Sequence, residues 1–241
     1  MVKSKKHGKL FFYRSKPHTN SYFFCRMKTD DTLISAPEIE TAFAEEDAVI
    51  EDYKIIVLRK EGGYTPKEYF ALEDDSEIRH EFHNGELYQM PGAKPNHELI
   101  VATLTAMLFY AVRKHGGYLF TSNLKVELPD SKHFLYPDIS IVGGTPEYGG
   151  KKKTTLLNPT VLIEVLSDST AHYDMGEKFA FYRALPSLRE YLLFDQDTAW
   201  VLHYRLNERG RWEIIEHDGK TLVLESVDCT LTIRDVYAHL A

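Results

Sequence analysis

The sequence predicts a mixed α/β domain, on three observations. From Thr65 onward helix signals and strand signals interleave, in the order helix, hairpin, long helix, three strand-like runs, helix and strand. Val161-Leu-Ile-Glu-Val-Leu166 is apolar on both faces, the mark of a central strand in a sheet covered on both sides. The composition of the 241 residues, 43% hydrophobic and 27% charged, is globular, which excludes wholesale disorder and suffices for one sizeable core.

The elements follow in order. Residues 1–28 carry eight Lys/Arg and no acid, and residues 29–53 carry nine acids and no base. Such blocks without periodicity mark a tail, so residues 1–55 are expected to be an N-terminal extension and 56–241 the domain. The alternative for this segment is a basic arm that touches nucleic-acid phosphates. Thr65-Pro-Lys-Glu68 is a capping box and predicts a helix to about Glu73. Asn84-Gly85 is a hairpin turn signal within Arg79–Met90. Pro95 to His115 reads as a long helix, apolar almost all round and hence buried, ending at Gly116-Gly117. Strands are expected over Tyr118–Leu128, Phe134–Val142 and Thr160–Leu166. Asp174-Met-Gly-Glu177 is a second capping box, predicting a helix from there to about Leu185. A β-rich extension follows, with runs at Glu190–Phe194, Ala199–Arg205, Trp212–Glu216 and Thr221–Leu224, and a helix over Ile233–Leu240.

Several function classes are disfavoured. Cys25 and Cys229 cannot build a disulfide framework or a cysteine-rich zinc site, which points to a reducing, cytoplasmic setting. The longest apolar run, Leu99 to Val112, is too short to span a bilayer, so no membrane partner is expected. A net charge of −7 argues mildly against a non-specific nucleic-acid coat, although local basic patches such as Lys151-Lys-Lys153 could still meet a phosphate backbone. There is no phosphate-binding Gly-x-x-x-x-Gly-Lys loop, no Gly-x-Ser-x-Gly elbow and no His-Glu-x-x-His helix, and His80 and His83 lack a clear third ligand for zinc.

What chemistry remains centres on acids. Glu164 shares a strand face with Leu162 and Leu166. Unpaired there, it would cost several kcal/mol, so it needs a cation, a metal or a proton. A buried structural ion pair is the alternative. Asp138, after Pro137, supplies a second acid on a neighbouring run, unless it only caps a turn. Two such carboxylates can share a hard divalent cation, since Mg²⁺ takes one or two carboxylates and keeps several waters. Lys178 shares a helix face with Phe181, Tyr182 and Leu185, and so either snorkels to a rim or neutralises a buried acid such as Glu164. Glu81 is a third acid, unless it faces solvent. His97 lies on the core face of the long helix and is either a satisfied core residue or part of the site.

Together these residues resemble a known family. Tyr-Pro-Asp138, followed after a fixed spacing by Ile-Glu164-Val-Leu-Ser167, is similar to the PD-(D/E)XK nuclease superfamily, and more closely to its restriction-endonuclease-like Uma-two family. Glu81-Phe-His-Asn-Gly85-Glu86, Pro91 through His97, Glu164 through Thr170, Asp174, Lys178, Tyr182-Arg183 and Arg189 through Asp195 all match that family's pattern. The resemblance implies an αβββαβ core with a central mixed sheet. It also implies Mg²⁺, or alternatively Mn²⁺, held by Asp138, Glu164 and the backbone carbonyl of Val165. The superfamily's lysine two residues past the glutamate is here Leu166, and Lys178 on the adjacent helix takes its place. Glu81 would be the acid from the N-terminal part of the core.

The expected function is a Mg²⁺-dependent endonuclease that hydrolyses DNA phosphodiesters, with Lys178, Glu81 and His97 as catalytic groups. A homodimer would suit it, since two sites can cut two strands. The alternatives are a non-catalytic nucleic-acid or protein interaction module on the same fold, or a metal-dependent hydrolase of a small phosphorylated molecule.

Overall fold

A two-residue strand, β1 (Val57–Leu58), leads into helix α1 (Pro66–Asp75) in the computed structural model. The capping box is complete: the Thr65 hydroxyl accepts the Glu68 N–H at 3.3 Å, and the Glu68 carboxylate accepts the Thr65 N–H at 2.8 Å. The structure describes residues 56–90, 92–150, 152–167, 170–218 and 221–240, so the extension expected over 1–55 lies outside the described residues.

Strands β2 (His80–His83) and β3 (Glu86–Gln89) form the hairpin, turned by Asn84 at φ 45° and Gly85 at φ 105°. Both residues are in the left-handed region that a tight primed turn requires. A Cβ at Gly85 would come within 3.4 Å of the Gly63 Cα, an ordinary contact, so it is the positive φ and not the space that calls for glycine.

Helix α2 (Pro95–Lys114) departs from the expectation of all-round burial. Ile100, Val101, Leu104, Leu108 and Val112 are buried, but Leu99, Phe109 and Tyr110 on the opposite side are exposed. One face of the helix packs on the sheet, and the other has no covering layer among the described residues. Residues such as Leu104 and Leu108, at 0% and 1% exposure, each contribute about 1.5–3 kcal/mol of apolar burial.

Two of the strand-like runs are each divided. Tyr118–Leu128 becomes β4 (Tyr118–Thr121) and β5 (Lys125–Glu127), and Phe134–Val142 becomes β6 (His133–Leu135) and β7 (Ile139–Val142). In both cases the first and second halves belong to different sheets. At the second break Pro137 has no N–H to donate to a ladder, so the chain changes sheets there. Asp138 therefore sits at a seam between strands, not inside one as expected. Short strands β8 (Tyr148–Gly149) and β9 (Thr155–Leu156) lie in the loop that precedes β10 (Val161–Leu166).

The second predicted helix starts earlier than its supposed cap. Segment α3 (171–182) is α-helical over Ala171–Tyr173, π-helical over Asp174–Lys178 and α-helical again over Phe179–Tyr182. Asp174 is thus interior to the helix and buried, not an N-cap. The chain ends with β11 (Glu190–Asp195), β12 (Trp200–Leu206), β13 (Trp212–Asp218), β14 (Thr221–Leu224), β15 (Cys229–Thr232) and helix α4 (Ile233–Val236), which a 3₁₀ turn, Ala238–Leu240, continues.

The strand order is β1-β3-β2-β6-β5-β9-β8 in one sheet and β13-β12-β11-β10-β7-β4 in the other, with β14-β15 as a separate hairpin. The six-stranded sheet is mixed: β10 and β11 are parallel, joined through α3, and the other neighbours are antiparallel. Much of the β-rich extension joins this sheet as β12 and β13. Val161, Ile163 and Val165 pack with α2, the β14–β15 hairpin and α4, which leaves Leu162, Glu164 and Leu166 for the opposite face and α3. No helix among the described residues is long and apolar enough to cross a membrane.

Candidate active site

The seam between the two sheets is where the acids meet. The β10–β7 ladder pairs Val161 with Ile141, Leu162 with Ser140 and Ile163 with Ile139. One step further, past the last pair, Glu164 stands against Asp138. The Asp138 N–H points to Glu164 Oε2 at 3.4 Å, and Asp138 Oδ2 accepts the Val165 N–H at 2.8 Å. Beyond the end of the ladder the Asp138 side chain thus satisfies a strand N–H, which fixes its carboxylate beside β10.

Lys178 reaches the same place from α3. Its Nζ lies 2.9 Å from Glu164 Oε1, 3.2 Å from Glu81 Oε1 and 3.5 Å from Asp174 Oδ1, and the side chain is 3% exposed. The lysine does not snorkel to a rim. Glu81, on β2 of the other sheet, is equally buried and not solvent-facing. Its carboxylate accepts the Tyr136 N–H at 2.9 Å and the Tyr173 hydroxyl at 2.9 Å, with His83 Nε2 at 3.4 Å. Tyr182 donates its hydroxyl to Glu164 Oε1 at 3.1 Å. His97, in the first turn of α2, places Nε2 3.1 Å from Asp138 Oδ2.

One ammonium cannot serve three carboxylates, and the ionisation balance shows the shortfall. Burial opposes the charge of Glu81, but Lys178, His83 and the Tyr136 N–H outweigh it and hold the carboxyl at about 2. Burial pushes Glu164 well above its usual value of 4.5, and Asp174 and Asp138 add to the push while Lys178 resists it. Burial likewise raises Asp174 to about 6 despite Lys178. Lys178 is driven well above 10.5, because its acid neighbours outweigh the cost of burying it. Burial works against the His97 cation, yet the contact with Asp138 raises its pKa. The site holds excess negative charge that a proton or a further cation would relieve.

Asp138 and Glu164 are the residues whose oxygens could hold that cation. Oxygen-only donors from two carboxylates suit a hard ion such as Mg²⁺, which keeps waters in its remaining positions. No group of three His, Cys, Asp or Glu side chains among the described residues is arranged to hold a metal by itself. His80 is engaged with Glu73 at 3.2 Å and His83 with Tyr173 at 3.1 Å. In the lysine-rich loop, Lys152 pairs with Asp74 at 2.5 Å on the surface, and Lys151 lies outside the described residues.

The structure therefore brings Glu81, His97, Asp138, Glu164, Val165 and Lys178 to one seam. Sequence reasoning did not single out Asp174 as a buried acid, nor the hydroxyls of Tyr173 and Tyr182. Asp174 and Tyr182 sit at i−4 and i+4 from Lys178, a spacing that marks them as facing the same way. Tyr173 had no comparable signal.

A mixed sheet that carries Glu164 within β10 and Asp138 just before β7, with a helix crossing behind them, is in keeping with a restriction-endonuclease-like fold. A crystal structure of a "putative nuclease belonging to DUF820" from Anabaena variabilis superposes with a TM-score of 0.62 at 19% identity, covering 74% of this chain and 99% of that one. Residues 66–234 match the family model Uma2, described as "Putative restriction endonuclease". The chain belongs to this family. Two Synechocystis relatives are similar: the uncharacterized protein sll1609, 31% identical over 161 residues, covering 67% of this chain and 91% of that protein, and the uncharacterized protein slr1290, 29% identical over 179 residues, covering 73% and 93%.

Proposed function

We propose that this protein is a Mg²⁺-dependent endonuclease that hydrolyses DNA phosphodiester bonds, with Mn²⁺ as an alternative ion. Membership of a family described as "Putative restriction endonuclease" supports the reaction class. The observation that carries the reading is that Glu164, which accepts the Asp138 N–H, and the Asp138 carboxylate, which accepts the Val165 N–H, stand side by side at β10 in a cluster whose four acids exceed its cations. Asp138, Glu164 and the Val165 carbonyl would hold the ion, which when bound supplies Lewis-acid stabilisation of charge on the scissile phosphate.

The chain's own groups do the rest. Lys178 Nζ, fixed by Glu81 and Glu164, presents positive charge where a phosphate gains negative charge in the transition state. Tyr173 and the Tyr136 N–H keep Glu81 in place, so the ammonium cannot swing away. His97 orients Asp138 through Nε2.

The test is nicking of supercoiled plasmid by the purified protein in Mg²⁺, beside Asp138→Asn and Glu164→Gln. Each variant is expected to lose about 100-fold or more in rate while melting cooperatively. Undiminished cutting by both would refute the assignment. No cutting by the unmodified protein, together with no heat on Mg²⁺ or Mn²⁺ titration, would favour a non-catalytic interaction module.

A further inference from the structure

The nuclease chemistry leaves unused a row of aromatic rings that leads to it. β4 is the last strand of its sheet, and its register against β7 sets Tyr118 opposite Val142 and Phe120 opposite Ser140. Ser140 in turn stands opposite Leu162 on β10, so Tyr118 and Phe120 lie on the face that carries Glu164. Their rings are 8° from parallel, with centroids 6.4 Å apart. Tyr148, on β8 of the other sheet, extends the row, its ring edge-on to Phe120 at 6.2 Å. Tyr118 is 38% exposed and Tyr148 37%, and Phe120 between them is half-buried. An arginine stands at each end of the strand. At the far end the Arg113 guanidinium lies 4.6 Å over the Tyr118 ring. At the near end Arg79 donates to the Ser122 carbonyl at 2.7 Å and to Asn123 Oδ1 at 3.1 Å. Both arginines are exposed, and among the described residues neither forms an ion pair. The row also ends at the acids: Ser122, one residue past β4, donates its hydroxyl to the Asp138 carbonyl at 3.4 Å. From Tyr118 to Ser122 the chain spans about 13 Å.

We propose that this row is a track for a single strand of nucleic acid, which carries the strand along β4 to Asp138 and Glu164. The inference rests on the nuclease reading for the direction of the strand, and deepens it by naming the form of the substrate. Exposed aromatic rings offer stacking to any unpaired base, because every base has a π-face. The arginines at either end supply the charge that backbone phosphates need, with no acid to neutralise them first. A duplex cannot use the rings, since its bases stack on one another and show only their edges in the grooves. An aromatic patch kept for a protein partner has no need of unpaired arginines at both ends, nor of a terminus at Asp138. The approach along the edge is open, because among the described residues no strand pairs with the outer side of β4.

Fluorescence anisotropy of a labelled single-stranded DNA of about 16 nucleotides, titrated with the full chain in EDTA, tests the track apart from cutting. The single strand is expected to bind with a micromolar Kd at about 50 mM salt. Tyr118→Ala, at an exposed site, is expected to raise Kd about 10-fold, and Tyr118→Phe, which keeps the ring, to stay within about 2-fold of the parent. Arg113→Gln is expected to flatten the slope of log Kd against log salt by about 0.7, the loss of one phosphate contact on a single strand. Tyr118→Ala should leave the Kd for a duplex of the same sequence unchanged. No binding of the single strand at about 100 µM protein would overturn the proposal. So would a Kd in Tyr118→Ala equal to that of the parent, or an equal loss on the duplex. A chain that binds in this way yet does not nick plasmid in Mg²⁺ sinks the nuclease reading and leaves the track standing.

Discussion

Replacing Lys178 by methionine removes the ammonium that faces Glu81, Glu164 and Asp174 while keeping the volume of its stem. Deleting one partner of a buried ion pair costs about 3–5 kcal/mol, because a charge is left uncompensated in the interior. A Glu81 carboxyl held at about 2 against an ordinary 4.5, by Lys178 together with His83 and the Tyr136 N–H, corresponds to about 3 kcal/mol of net stabilisation of its ionised form, of which the lysine supplies a share. For a domain of this size each kcal/mol moves Tm by about 2–4 °C, so Lys178→Met is expected to melt roughly 6–20 °C lower at pH 7.5. The pH dependence has a definite sign. In the unaltered protein the depressed Glu81 contributes stability that is present above 4.5 and lost as the pH falls toward 2. Asp174, raised to about 6, costs stability as the pH climbs from 3.8 through 6. Without the lysine, burial is left as the main influence on all three acids, so each destabilises when ionised and relaxes when protonated. The deficit of the variant against the parent should therefore be largest at pH 7.5–8 and shrink on acidification to pH 5. Calorimetric melts of both proteins across that range are the assay. A deficit below about 1 kcal/mol, or one that does not change with pH, would show that Lys178 does not neutralise these carboxylates.

Glu164→Gln should melt at the same temperature as the parent or a few degrees higher at pH 7.5 in EDTA, since it removes an acid whose ionisation burial opposes, and it should abolish any Mg²⁺-induced rise in Tm. A fall of several degrees in EDTA would mean that the ionised form is favoured in the fold. Thr65→Ala breaks the capping box of α1 and is expected to cost about 1 kcal/mol in denaturant melts, with the Mg²⁺ response of the protein unchanged.

The elements legible in the sequence were those decided by neighbours in the chain. The Thr65 box, the Asn84-Gly85 turn and the buried strand around Glu164 each rest on spacing over a few residues, and each formed where the pattern placed it. The same local periodicity set Lys178 on the inward face of its helix. Burial of an acid on an apolar strand was likewise readable, because the penalty for leaving it unpaired is large wherever the strand sits.

Tertiary structure decided what depends on partners far along the chain. The runs over 118–128 and 134–142 carry continuous strand signal, yet each divides between two sheets, because pairing partners and not propensity set where a strand ends. That division moved Asp138 to a seam and, across it, brought Glu81 from one sheet to Lys178 on a helix packed against the other. The apolar circumference of α2 was equally plain in the sequence, but composition states only that a surface prefers to leave water. Which part does so was settled by the layer that packs against it, and among the described residues that layer covers one side.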